Sequence, residues 1–112
     1  MKINEMVERA HATAKEKGWY ESGEVSIGEK LALIHSEISE ALEAYRDDPE
    51  GMADFDAPQV IGKPEGFAVE LADAVIRIAD LCGYLEIDLA AAIAIKMNYN
   101  DTRPHRHGGK AC

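Results

Sequence analysis

The stretch FAVELADAVIRIADLCG (67–83) decides the fold, because its apolar residues recur at helical spacing around most of one helix. At about 100° per residue, the widest apolar face carries Phe67, Leu71, Val75, Ile78, Ala79, Leu81 and Cys82. The remaining narrow strip is polar and carries Glu70, Asp73, Arg77, Asp80 and Tyr84. A helix that is apolar on most of its circumference is typically buried. We therefore expect this helix to be central, with its polar strip facing either a thin line of solvent or a polar site inside a bundle.

Helical periodicity extends over nearly the whole chain, and no segment alternates convincingly as a β-strand does. The predicted helices are Lys2 to Lys17, Ser26 to Arg46, Pro64 to Cys82 and Asp88 to Asp101. Gly18 and Gly83 are interpreted as stop signals for the first and third helices. Ser26 opens a capping box with Glu29. Because 112 residues form one domain by the usual size relation, we predict a single all-α, four-helix bundle-like domain over residues 1–112.

Two segments lack helical periodicity. The first, between the second and third helices, contains the helix breakers Pro49, Gly51, Pro58 and Gly62. Its length and acidity suggest a functional flap or a partly disordered loop. The second follows the fourth helix, where Pro104 and two consecutive glycines end the regular pattern. The tail 104–112 is therefore expected to be flexible.

The chain is acidic, with a formal net charge of −9. This charge argues against nucleic-acid binding, which needs a basic face. It does not exclude phosphate-bearing ligands, because a divalent metal can bridge acidic side chains and an anion. No apolar run approaches the length of a membrane span and nothing resembles a signal peptide. We therefore expect a cytoplasmic protein that does not bind membranes.

Two pairs of acids have the spacing that places both members on one side of a helix. These are Glu37 and Glu40 on the second helix, and Glu70 and Asp73 on the third. If the two helices pack antiparallel, four carboxylates face one another and repel unless a cation lies among them. Hard oxygen ligands suit Mg²⁺ or Mn²⁺, and the lack of a partnered His or Cys disfavours zinc. The spacing therefore predicts a site for Mg²⁺, with Mn²⁺ as a possible substitute.

A basic segment follows in the otherwise acidic chain. Lys96, Asn100 and Arg103 lie at i, i+4 and i+7, so they share one face of the fourth helix. Such side chains can bind phosphate or sugar oxygens, although an exposed polar face near a helix end explains them as well. Trp19, in the loop after the first helix, either stacks on a base or packs on the bundle.

Three stretches together resemble the MazG-like, all-α nucleotide pyrophosphohydrolase family. They are IHSEISEALEAYR (34–46), ELADAVIRIADL (70–81) and KMNYNDTRPHRHGGK (96–110), and GWYESGE (18–24) joins them. The resemblance implies a MazG-type four-helix fold and Mg²⁺-dependent cleavage between the α and β phosphates of a nucleoside triphosphate. It maps Glu37, Glu40, Glu70 and Asp73 onto the metal ligands, and it maps Lys96, Asn100 and Arg103 onto the phosphate or sugar contacts.

A carboxylate that is not fully committed to metal would act as the general base. Glu37 is the first choice and Glu40 the second, and the sequence does not separate them. Two other functions stay open: a phosphoribosyl-ATP pyrophosphohydrolase, and a non-catalytic helical module that binds a nucleotide or a partner helix. Because the third helix has more apolar surface than one small bundle covers, we also expect a homodimer or a homotetramer.

Overall fold

The computed structural model describes residues 1–53 and 65–104, and this part of the chain is helical, without strands. It contains four helices, α1 (Ile3–Glu16), α2 (Ile27–Asp47), α3 (Phe67–Leu85) and α4 (Leu89–Thr102). The all-α prediction is therefore confirmed for these residues. Pro64, most of the predicted flap and most of the predicted flexible tail lie outside the described residues. Within the two described ranges, no helix is long and apolar enough to cross a bilayer.

The predicted N-caps of α2 and α4, Ser26 and Asp88, each accept one backbone hydrogen bond. The Ser26 hydroxyl accepts from the backbone N–H of Glu29 at 3.1 Å, and the Asp88 carboxylate accepts from that of Ala91 at 3.0 Å. The side chain of Asn4 also donates to Asp88 at 2.9 Å, which ties the start of α4 to α1. These bonds, led by the one from Asn4, lower the pKa of Asp88. The lowered pKa means that the ionised Asp88 carboxylate stabilises the fold. This stabilisation is present above the ordinary pKa of an aspartate and is lost as the pH falls through the lowered value.

Helix α3 is central, since it packs against both α1 and α2. Its pairing with α2 is antiparallel, because Lys30 near the start of α2 meets Asp80 while Glu37 further along meets Arg77. On its other side, Val7 of α1 packs against Ala79 and Cys82 in the hydrophobic core. Helix α4 contacts mainly α1. This arrangement leaves the polar strip of α3 between α1 and α2, facing a polar site inside the molecule.

The predicted end of the third helix at Gly83 is wrong, because α3 continues to Leu85 and ends with Glu86 in the left-handed conformation (φ 57°). Gly83 has a different role. A Cβ atom built on it would lie 2.5 Å from the Cβ of His11 and 3.3 Å from the backbone oxygen of Val7. Gly83 therefore lets the backbones of α1 and α3 approach closely.

We expect Gly83→Ala to destabilise the fold by about 1–3 kcal/mol, because overpacking outweighs the better helix propensity of alanine. Gly28→Ala is the matched control inside α2, since its Cβ would meet only the Ser26 hydroxyl at 3.9 Å. The control is expected to be neutral or slightly stabilising. Chemical denaturation of both variants measures the difference. Equal unfolding free energies for the two variants would show that the close approach at Gly83 is unimportant.

In helix α2, the buried side is not the side that carries most of the large apolar residues. The stripe facing α3 consists of buried or half-buried residues, most of them polar or small: Lys30, Ile34, Glu37, Ala41 and Ala44. We call this the inner stripe of α2. Helical periodicity in the sequence predicts that the main apolar stripe of this helix is Leu31, Ile34, Ile38, Leu42 and Tyr45, and all except Ile34 are exposed in the single chain. The expectation that α3 is largely buried is also wrong for the single chain, because Leu71, Val75 and Ile78 are exposed.

Candidate metal centre

Three of the four predicted acidic residues converge between α2 and α3. Glu37, Glu70 and Asp73 each offer a carboxylate oxygen, and these oxygens lie within 4.8 Å of one another. Glu37 is buried, with 7% of its surface exposed, whereas Glu70 and Asp73 are half-buried. The i, i+3 spacing on α3 and the antiparallel pairing of α2 bring them together. The group could hold a metal ion.

The spacing of these oxygens suits a small divalent cation. In an octahedral Mg²⁺ site with bonds of about 2.0–2.1 Å, ligand oxygens on opposite sides are about 4.2 Å apart. The upper limit of 4.8 Å on the separations within the group is close to this distance. Glu37, Glu70 and Asp73 supply oxygen ligands alone, which is the donor type that Mg²⁺ and Mn²⁺ prefer.

Arg77 places a positive charge beside this group. Its Nε donates to the Glu37 carboxylate at 2.7 Å. On another side, its guanidinium carbon lies 4.9 Å from the centre of the Trp19 ring, a distance typical of a cation–π contact. Arg77 thus connects the acidic group on α2 and α3 with the aromatic residue that follows α1. The sequence analysis had put Arg77 in the polar strip of α3 without giving it a function.

Glu40 lies outside the group formed by Glu37, Glu70 and Asp73. It is exposed, one turn after Glu37 on α2. Its assignment as a metal ligand stays a prediction.

A second polar cluster, around Asp80, lies about two helical turns after Asp73 on α3. Asp80 is 5% exposed. Its carboxylate contacts His11 Nδ1 and the Tyr20 hydroxyl, both at 2.9 Å. The ammonium nitrogen of Lys30 lies 3.5 Å from the same carboxylate. Burial, followed by the hydrogen bond to Asp80, raises the pKa of Tyr20, so its phenol keeps its proton and donates. The Tyr20 ring also stacks on Tyr84, with centroids 5.2 Å apart. Because α1, α2 and the connection between them all reach Asp80, we interpret this cluster as structural.

A mostly apolar cavity of about 650 Å³ lies between α1 and α3. Trp19 and Arg77 line it together with residues of both helices, among them Ala10, Ala72 and Ile76. Its volume is in the range of small-molecule sites. Trp19 is about half exposed, with 51% of its surface accessible, so one face of the indole is free for a ligand. Arg77 lines this cavity and also contacts Glu37, so this residue links the cavity with the acidic group.

The three predicted phosphate contacts of α4 are not placed in the acidic group. Lys96 and Asn100 are exposed and Arg103 is half-buried. The charged ends of Lys96 and Arg103 lie 4.9 and 5.5 Å from the centre of the Tyr99 ring, on α4 itself. Since α4 packs mainly against α1 and the acidic group lies between α2 and α3, the role of this trio stays a prediction.

Fold and geometry together define a class: an all-α protein in which two antiparallel helices present three converging carboxylates. Comparison of the chain with protein-family models, with curated proteins and with solved structures found no match. The resemblance to the MazG-like family therefore rests on the sequence motifs alone.

Proposed function

We propose that this chain is a Mg²⁺-dependent nucleoside triphosphate pyrophosphohydrolase of the MazG-like type, acting in nucleotide-pool house-cleaning. The observation that supports it most is the convergence of Glu37, Glu70 and Asp73 to within 4.8 Å from two helices. Arg77 offsets part of the negative charge of these three carboxylates, and a divalent cation bound among them would offset the rest. Cleavage between the α and β phosphates would release a nucleoside monophosphate and pyrophosphate.

Glu37, Glu70 and Asp73 would hold the metal. When bound, Mg²⁺ supplies charge neutralisation for the phosphates and lowers the pKa of water near the reacting phosphorus. The general base must be a carboxylate that is not committed to the metal. The sequence favoured Glu37 for this role, but Glu37 belongs to the converging group, whereas Glu40 lies just outside it. We therefore propose Glu40 as the base that takes the proton of the attacking water.

Trp19 and the adjoining cavity would hold the base of the nucleotide. The apolar walls and the half-exposed indole fit a flat heteroaromatic ring, and the phosphates would extend towards Arg77, which joins this cavity to the acidic group. Lys96, Asn100 and Arg103 are proposed to contact phosphate or sugar. Lys96 and Asn100 lie on α4, whereas Arg103 follows its last residue in an extended conformation, so the three do not share one helical face as predicted. Their positions require either a movement of the chain end or an approach to the site of a neighbouring copy.

A turnover screen tests this function. The protein is incubated with Mg²⁺ and each of a panel of normal, deoxy and damaged nucleoside triphosphates, and pyrophosphate release is measured. Phosphoribosyl-ATP is included, because selective turnover of that compound would favour the phosphoribosyl-ATP pyrophosphohydrolase alternative. Binding of nucleotides without pyrophosphate release from any of them would favour a non-catalytic module.

We also propose that the chain acts as a homodimer or a homotetramer. The exposed apolar residues of α2 form an outer stripe, Leu31, Ile38, Leu42 and Tyr45, and those of α3 form another, Leu71, Val75 and Ile78. Each residue of the outer stripe of α2 comes one position after a residue that faces α3. Each residue of the outer stripe of α3 likewise comes one position after a residue on the side of α3 that faces α2. Because both helices are right-handed and antiparallel, this offset turns both outer stripes to the same side of the helix pair. A second copy would cover this continuous apolar face.

The oligomer prediction is tested with Ile38→Glu, which puts a charge in the middle of the outer stripe of α2. We expect the wild type to show at least twice the monomer mass of 12.3 kDa in light scattering at micromolar concentration. Ile38→Glu should shift it towards the monomer, since burying an unpaired carboxylate is costly. Ser39→Glu, an exposed neighbour outside both stripes, is the matched control and should keep the wild-type mass. A monomeric wild type would contradict the proposal.

A further inference from the structure

Arg77 holds Glu37 at the point where a metal ion would need that carboxylate. The Nε–Oε1 distance of 2.7 Å is that of a strong charge-assisted hydrogen bond, and both side chains are largely shielded from solvent, with 25% and 10% of their surfaces exposed. In the chain without metal, Arg77 therefore balances part of the negative charge of Glu37, Glu70 and Asp73. A divalent ion among these carboxylates would bring two further positive charges close to the guanidinium.

A divalent ion among the three carboxylates would lie close to the guanidinium that is bonded to Glu37, and the two cations would repel each other because partly buried charges are weakly screened. Metal binding therefore weakens the contact between Arg77 and Glu37. A displaced guanidinium can stay beside Trp19 and the cavity between α1 and α3, since it already contacts the half-exposed Trp19 ring and lines this cavity. Between the acidic group and that cavity, a released guanidinium meets the region where the phosphates of a bound nucleotide would lie.

We propose that Arg77 is a substrate-positioning residue that Glu37 retains in the metal-free chain and that divalent metal releases. The inference rests on the metal-dependent function proposed above and adds an order of events to it. Metal displaces Arg77 from Glu37, and the freed guanidinium then binds the anionic phosphates, to which its planar set of donors is well suited. Substrate therefore binds tightly only after the metal, which prevents the chain from retaining metal-free nucleotide.

Trp19 provides a readout that is independent of activity, because it is the only tryptophan in the chain. Mg²⁺ is titrated into the full-length wild type, into Arg77→Gln and into Arg77→Lys, with calorimetry for affinity and Trp19 fluorescence for the position of residue 77. Mg²⁺ avoids the direct quenching that a paramagnetic ion would cause. Arg46→Gln, an exposed site on α2 with the same change of charge, is the matched control.

We expect wild-type Trp19 emission to change saturably with Mg²⁺, and this change to be lost in Arg77→Gln. The Gln variant should bind Mg²⁺ roughly five- to tenfold more tightly, because the competing cation is gone, while Arg77→Lys and Arg46→Gln should stay near the wild type. At saturating Mg²⁺, KM for the nucleotide should rise about tenfold in Arg77→Gln and kcat should change less.

The outcomes separate the two proposals. If calorimetry finds no saturable Mg²⁺ binding to the wild type, the metal-dependent function fails, and this inference fails with it. If Mg²⁺ binds equally well to the wild type and Arg77→Gln and Trp19 emission does not respond, the exchange is refuted while the metal site stands. If Arg46→Gln binds Mg²⁺ as tightly as Arg77→Gln does, the gain in affinity comes from the overall charge of the chain. This result would also overturn the inference.

Discussion

Asp73→Asn is expected to lower kcat/KM for nucleoside triphosphate hydrolysis on the order of 10³-fold, because it removes one ligand charge from the proposed metal site while keeping the shape of the side chain. Asp73 is half-buried on α3 and belongs to the converging group with Glu37 and Glu70. The metal affinity should fall with the activity. Steady-state kinetics at several Mg²⁺ concentrations separate the two effects, since part of the loss should be recovered at high Mg²⁺.

The fold should tolerate this change. Asp73→Asn leaves no cavity and removes a charge that other carboxylates repel, so the metal-free variant should be as stable as the wild type or slightly more stable. Asp47→Asn, at the exposed end of α2, is the matched control and should leave both activity and stability unchanged. Near-normal turnover by Asp73→Asn at limiting Mg²⁺ would show that the acidic group is not the metal site.

Asp80→Ala is expected to reduce the unfolding free energy by about 3 kcal/mol, because it leaves the partners of a buried carboxylate without their acceptor. His11 and Tyr20 would each lose a 2.9 Å contact, and the ammonium of Lys30 would lose its counter-ion. Equilibrium denaturation in urea measures the loss. In contrast with Asp73, the effect should fall on stability, since Asp80 is not part of the converging acidic group and its contacts join α1, α2 and α3.

A graded series tests the reason for this loss. Tyr20→Phe removes one donor and should cost about 1 kcal/mol, and Asp80→Asn, which keeps the size of the side chain, should lie between Tyr20→Phe and Asp80→Ala. If Asp80→Ala is as stable as the wild type but inactive, the cluster around Asp80 is functional and the structural interpretation is wrong.

The sequence predicted what depends on local spacing. The starts of α2 and α4 followed from Ser26 and Asp88, because a cap is a contact over three residues. The i, i+3 acids were recognised for the same reason. Their convergence also required the antiparallel pairing of α2 and α3, which two consecutive long helices favour. Glu40 shows the limit of this reasoning, since correct spacing did not bring it into the group.

The sequence could not predict the features that depend on which side of each helix faces its neighbours. The amphipathic pattern of α2 suggested that its leucines and isoleucines face the core, yet the buried stripe carries Lys30, Glu37 and small residues. Gly83 has the local appearance of a helix stop, and only the closeness of His11 shows its role in packing. Asp80 and Arg77 stood in the recognised polar strip of α3, but their partners lie on other elements of the chain.

The central claim is that the acidic group supports metal-dependent release of pyrophosphate, and phosphorus NMR of a single reaction tests it most directly. A nucleoside triphosphate found to be turned over is incubated with the protein and Mg²⁺, and a parallel sample contains excess chelator. We expect nucleoside monophosphate and pyrophosphate in equal amounts with Mg²⁺ and no reaction with chelator. Release of orthophosphate and nucleoside diphosphate, or equal turnover in the chelated sample, would contradict the account.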